Sequence, residues 1–134
     1  IKIFISFFKI NIKKKNDIIS ERYVQAGIYL IKNEEKKSRE ILEEIILSKN
    51  RFYSILALNT ILEKNLEEDK TKILNYFDKV ESITKSKDAI DLLNLKKGLY
   101  LIKNNNEQKG KELLKSLIES NSNIKSIAEE ILDN

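Results

Sequence analysis

The stretch Gly27-Ile28-Tyr29-Leu30-Ile31-Lys32-Asn33 returns later in the chain as Gly98-Leu99-Tyr100-Leu101-Ile102-Lys103-Asn104, an offset of 98 − 27 = 71 residues. Two such close copies mark an internal repeat, and half the offset, about 35 residues, is the length of a helix-turn-helix unit. The intervening unit falls near Ala57 to Ile83. Each copy closes a segment of helical periodicity and ends on asparagine, where the helix is expected to break.

Working outward, apolar residues recur at helical spacing in seven segments. Ile19, Tyr23, Ala26 and Leu30 stripe a first helix, with a break at Asn33. Ile41, Leu42, Ile45 and Ile46 form a second, and Asn50 is placed to cap a third carrying Phe52, Ile55, Leu56, Leu58 and Leu62. A fourth carries Ile73, Leu74, Phe77 and Val80. Ser86 caps a fifth, in which Ile90, Leu92, Leu93, Leu95, Leu99 and Ile102 go most of the way round, predicting burial by neighbours on two sides. After the Asn104 to Asn106 run, Leu113, Leu114, Leu117 and Ile118 mark a sixth helix, and Ile124, Ile127, Ala128 and Ile131 a seventh.

Composition agrees with an all-α chain. The 134 residues include no proline and three glycines, with 41% apolar and 34% charged residues, a balance suited to uninterrupted helices. Twenty-five basic and 21 acidic residues are interspersed, so the net charge of +4 reads as a solvated helical surface, and no nucleic-acid partner is expected. Without cysteine or histidine the commonest nucleophile and general base are missing. The doublets Glu34-Glu35, Glu43-Glu44, Glu67-Glu68 and Glu129-Glu130 read as solvated faces, because adjacent helical residues point about 100° apart. Gly27, Gly98 and Gly110 are too scattered for a phosphate-cradling loop. The expectation is no enzyme, no catalytic residues, no metal and no cofactor.

The first twelve residues, IKIFISFFKINI, are a different kind of sequence. They fall short of the roughly 20 apolar residues that span a bilayer. With Ile1 in place of Met the chain is expected to be a fragment or a processed form, residues 1–16 being the end of a membrane anchor and its basic flank. Ile3, Phe4, Phe7 and Phe8 are the expected membrane residues, and Lys13, Lys14 and Lys15 sit at the headgroups. The bland alternative is a greasy first helix packed on the domain. Residues 17–134 are then the repeat domain, expected to be cut short at its C-terminal end.

With a 35-residue period and small residues at crossing positions, the repeat resembles the tetratricopeptide type. Ala26 with Tyr29, Ser38, Leu42 and Ile45 in one unit, and Gly98 with Leu101, Gly110, Leu114 and Leu117 in another, fall near the signature positions. Leu58 and Lys70 depart from it, and the signature tryptophan and terminal proline are missing, so the repeat is degenerate. The resemblance implies antiparallel helix pairs stacked as a short solenoid, with the first helix of each pair lining a concave binding surface. Arg22, Gln25, Asn59, Glu63, Asn94 and Lys97, polar residues off the stripes, are the expected partner contacts. Tyr23, Tyr29, Phe52, Tyr53, Tyr76, Phe77 and Tyr100 read as core, or, for Tyr29 or Tyr100, as anchors for a bound segment.

The apolar start followed by YVQAGIYLIKNEEKKSREILEEI, RFYSILALNTILEKN, KDAIDLLNLKKGLYLIKN and IKSIAEEIL also resembles one family in particular. It is similar to the membrane-anchored, periplasmic tetratricopeptide-like proteins related to the ancillary subunit of the bacterial Sec translocon, in their alphaproteobacterial form. That resemblance implies a non-catalytic adaptor at the inner membrane, with its repeat domain in the periplasm. Such an adaptor helps hand exported proteins from the translocon to chaperones, so translocon subunits, clients or chaperones are its expected partners. Lys13 to Lys15 pull the other way, since a basic flank tends to stay in the cytoplasm. A soluble cytoplasmic scaffold or a self-assembly module are the alternatives.

Overall fold

A computed structural model describes all of residues 1–134. The chain is all-α, as its periodicity predicts: α1 (Lys2–Ile31), α2 (Glu35–Leu47), α3 (Arg51–Glu63), α4 (Lys70–Ile83), α5 (Lys87–Lys103), α6 (Glu107–Glu119) and α7 (Lys125–Asp133). No helix is long and apolar enough to cross a membrane. The chain falls into two compact units, Ile1–Asp69 and Lys70–Asn134, each built from consecutive helices packed in pairs.

Asparagine performs the turns. Asn33, Asn65, Asn105 and Asn121 adopt left-handed backbone, with φ of 59°, 50°, 65° and 52°, while no glycine does. Asparagine is the commonest non-glycine residue able to do so, because its short amide bonds locally. At Asn33, Asn65 and Asn121 the turn closes with paired reverse bonds. Glu34 N–H donates to Tyr29 O and Asn33 N–H to Leu30 O; Leu66 to Ile61 and Asn65 to Leu62; Ser122 to Leu117 and Asn121 to Ile118. These bonds satisfy carbonyls that a helix end leaves open. At the N-termini, Asn50 Oδ1 accepts from Tyr53 N at 3.0 Å and Ser86 Oγ from Ala89 N at 3.4 Å, so both expected caps are present.

In the first unit Ile41, Leu42, Ile45 and Ile46 of α2 are buried, as their stripe predicts, against Ala26 of α1 and Ser54, Ala57, Leu58 and Ile61 of α3. The buried row of α3 differs from the expected one, since Phe52 is 65% exposed and Ser54 lies in the core. The reason is helix separation: Ser54 and Ala57 are small, and Ser54 Oγ donates to Ile45 O at 3.0 Å, which a larger side chain would prevent. Glu67 is buried beside Arg39, 3.4 Å away, and accepts from Asp69 N–H, fixing the segment that follows α3.

In the second unit Leu95, Leu114, Leu117 and Ala128 form a cluster joined by Ile102, Ile118, Ile124, Ile131 and Leu132. Ile73, Tyr76, Phe77 and Val80 of α4 are buried, and Phe77 meets the ring of Tyr100 at 6.1 Å. Helix α5 packs with both α4 and α6, as its wide apolar surface predicts, yet it leaves Leu92 and Leu99 exposed. Ser122 Oγ donates to Asp91 at 2.6 Å and Asn123 to Asp88 at 2.9 Å, tying the turn before α7 to the start of α5.

The two units share a three-helix motif, α1-α2-α3 and α5-α6-α7, but not in the register of the repeated heptapeptide. From Asn33 to Asn105 is 105 − 33 = 72 residues, and from Lys49, also left-handed, to Asn121 is again 121 − 49 = 72. The same shift relates Ala26 to Gly98, Ser38 to Gly110, Leu42 to Leu114 and Ile45 to Leu117, all of them buried. The textual match at 71 is thus one residue out of structural phase. One residue is about 100° of helix, enough to carry Gly27 off the packing face, where Ala26 stands instead. A Cβ built on Gly27 meets nothing within 4 Å, whereas one on Gly110 lies 2.6 Å from Gly98 O. The period is also uneven, because Asn65 lies 32 residues after Asn33 (65 − 33) and 40 before Asn105 (105 − 65).

Candidate partner-binding surface

The 72-residue shift places Arg22 and Asn94 at one structural position (94 − 22) and Gln25 and Lys97 at another (97 − 25). Two of these four are engaged inside their units. Arg22 Nη2 lies 2.6 Å from Glu44 Oε2 and bridges α1 to α2; Lys97 Nζ lies 2.9 Å from Asp78 Oδ1 and bridges α5 to α4. Asn94 is half-buried on α5. On α3, Asn59 is half-buried and Glu63, one turn later, is exposed.

Gln25 has the most informative surroundings. It lines a shallow depression with Ser20, Glu21, Tyr23, Val24, Ile28 and Tyr53. The depression has an aromatic wall in Tyr23 and Tyr53, whose rings lie 5.7 Å apart, and Phe52, beside the depression, stands edge-on to Tyr53 at 5.0 Å. Tyr23 Oη is 3.1 Å from Thr60 Oγ1, so the wall is fixed to both α1 and α3. Val24, Ile28 and Ile31 continue along α1 as a second apolar stripe at i, i+4 and i+7, exposed at 61%, 38% and 83%.

The chain matches no protein-family model, no curated protein and no solved structure. The reading of this surface therefore stands on its residues. Sequence reasoning passed over Val24, Ile28 and Ile31 because the Ile19-Tyr23-Ala26-Leu30 stripe accounts for the core face of α1. The signal was the presence of two apolar stripes on a helix that needs only one. Tyr29 is half-buried with the Lys37 ammonium 5.3 Å from its ring centre, and Tyr100 packs on Phe77.

At the N-terminal end, Ile3, Phe4, Phe7 and Phe8 are all exposed, Phe4 at 74%. Their helix is the same α1 that carries the depression. Taking the shift of 72, Lys87 at the start of α5 corresponds to Lys15 (87 − 72), so the residues of α1 before Lys15 are an extension beyond the repeated motif. At 1.5 Å per residue that extension is about 20 Å long.

Proposed function

We propose that this chain is a non-catalytic, protein-binding adaptor, tethered at the bacterial inner membrane by the apolar start of α1, that helps hand exported proteins from the Sec translocon to periplasmic chaperones. The observation that carries the binding role is the second apolar stripe of α1, Val24, Ile28 and Ile31, beside the Tyr23-Tyr53 wall and Phe52. Contiguous exposed apolar surface of this kind marks interaction sites, and aromatic side chains are the usual anchors within them. Polar Gln25 and Glu21 on the rim supply orientation for a bound segment.

The envelope location is supported by the exposed Ile3, Phe4, Phe7 and Phe8 and by the family resemblance described above. A second reading, a cytoplasmic scaffold, is favoured by Lys13 to Lys15, which by the positive-inside tendency hold their flank in the cytoplasm. A photoreactive residue at Gln25, introduced into the protein in its own cells, separates the two. Capture of translocon subunits or exported proteins supports the envelope adaptor. Capture of cytoplasmic proteins alone rejects it in favour of the scaffold.

A further inference from the structure

The extension of α1 carries a charge pattern as distinctive as its apolar surface. Lys2, Lys9, Lys13, Lys14 and Lys15 all lie within the first fifteen residues, and the first acidic residue is Asp17. All five lysines are exposed and none joins an ion pair, although lysines elsewhere, such as Lys87, Lys97 and Lys111, do. Their arrangement on the helix is ordered. Lys2, Ser6, Lys9 and Lys13 follow i, i+4, i+7 and i+11 along one narrow face. Ile1, Ile3, Phe4, Ile5, Phe7, Phe8, Ile10 and Ile12, every one exposed, occupy the rest, interrupted only by Asn11. At the base of the segment Lys13, Lys14 and Lys15 are consecutive, and at about 100° per residue they spread over more than half the circumference as a collar.

We infer that residues 1–15 bind a bilayer rich in anionic phospholipid, with the phenylalanines and isoleucines entering the acyl region and Lys9, Lys13, Lys14 and Lys15 seated on headgroup phosphates. The choice of occupant follows from charge complementarity. An apolar protein groove would take the aromatic face alone, whereas an anionic bilayer satisfies both faces at once. Lys9 lies within about 9 Å of the collar along the helix, so its long side chain can reach back to the headgroups. The inference rests on the membrane tether proposed above and adds the lipid class that the tether selects.

The test is flotation of the full chain with phosphatidylcholine vesicles, alone and with about one-third phosphatidylglycerol. Each lysine near an anionic surface is worth roughly fivefold in partitioning, so a gain of at least about tenfold is expected on adding the anionic lipid. High salt should remove most of it. K13Q/K14Q/K15Q should lose most of the gain while binding phosphatidylcholine as before, and K109Q/K115Q, on exposed positions of α6, should retain it. F4S/F7S/F8S should lose binding to both vesicles while keeping its helical circular dichroism. Equal binding to both vesicle types overturns the lipid inference and leaves the tether standing. Binding to neither, or self-association through the same residues with no vesicle binding, overturns both. Retention of the gain in K13Q/K14Q/K15Q overturns the role given to the collar.

Discussion

Replacing Gly110 with alanine and, separately, Gly27 with alanine should change stability in opposite directions. At Gly110 the new methyl would lie 2.6 Å from Gly98 O, 2.6 Å from Ile102 Cγ1 and 3.0 Å from Ile102 N. Two of those atoms are backbone, so relief requires α5 and α6 to move apart. Overpacking of this kind costs about 1–3 kcal/mol, and the contacts here lie toward the upper end. Alanine's better helix propensity returns up to about 1 kcal/mol, leaving a net loss of roughly 1–2 kcal/mol. At Gly27 there is nothing within 4 Å, so the propensity gain of up to about 1 kcal/mol comes unopposed. Gly98→Ala falls between, because its nearest contacts are the Leu114 side chain at 3.1 Å and Gly110 O at 3.3 Å. Urea denaturation followed by circular dichroism reads all three. A register of 71 would make Gly27 and Gly98 equivalent, so equal losses at those two positions, or a neutral Gly110→Ala, would refute the register of 72.

Other perturbations have equally definite outcomes. The Lys87 ammonium, and after it the Ser122 hydroxyl, hold Asp91 below the usual carboxylate range against a smaller opposing effect of burial. Its contribution is therefore fully present above the unfolded value near 3.9 and lost as pH falls through the lower folded value. Asp91→Asn should cost about 1–2 kcal/mol at neutral pH, and the gap between the two proteins in urea midpoint should close on acidification below pH 4; a constant gap would contradict this. Asn50→Ala should lose about 1 kcal/mol and Ser86→Ala less, because the Ser86 bond is 3.4 Å against 3.0 Å, as thermal melts of the two would show. Asn33→Val should cost about 1–2 kcal/mol for its left-handed backbone, with Asn33→Gly at least as stable as the natural residue in the same melts.

Helix number, order and most boundaries were legible because the local signals agreed with one another. Asparagines stood where helices stop, Asn50 and Ser86 stood where they start, and the α2 stripe was buried residue for residue. What was not legible depended on helix separation. Phe52 is apolar and falls on a helical repeat, yet Ser54 occupies the buried position because only a small side chain lets α3 approach Ile45 of α2. The register of the repeat was legible from its small and large signature residues, since Ala26, Ser38, Leu42 and Ile45 stand 72 residues before Gly98, Gly110, Leu114 and Leu117, whereas the heptapeptide match alone gives 71. Heptapeptide identity follows letters, whereas packing follows the close approach at a helix crossing, where a small residue stands in each copy, Ala26 in one and Gly98 in the other. For the binding surface, the sequence offered polar residues off the stripes. Arg22 and Lys97 turned out to bridge helices, and the exposed apolar stripe beside Gln25 was the stronger signal.

In the proposed function, the face of α1 and α3 around Gln25 receives apolar segments of other proteins. Hydrogen exchange of the full chain, with and without a permanently unfolded polypeptide such as reduced, carboxymethylated lactalbumin, tests it most directly. Added protection in residues 20–31 and 52–60, reduced by exchanging Val24 and Ile28 for serine, is the predicted result. Protection confined to the polar face of α6, or none anywhere in the chain, would contradict it.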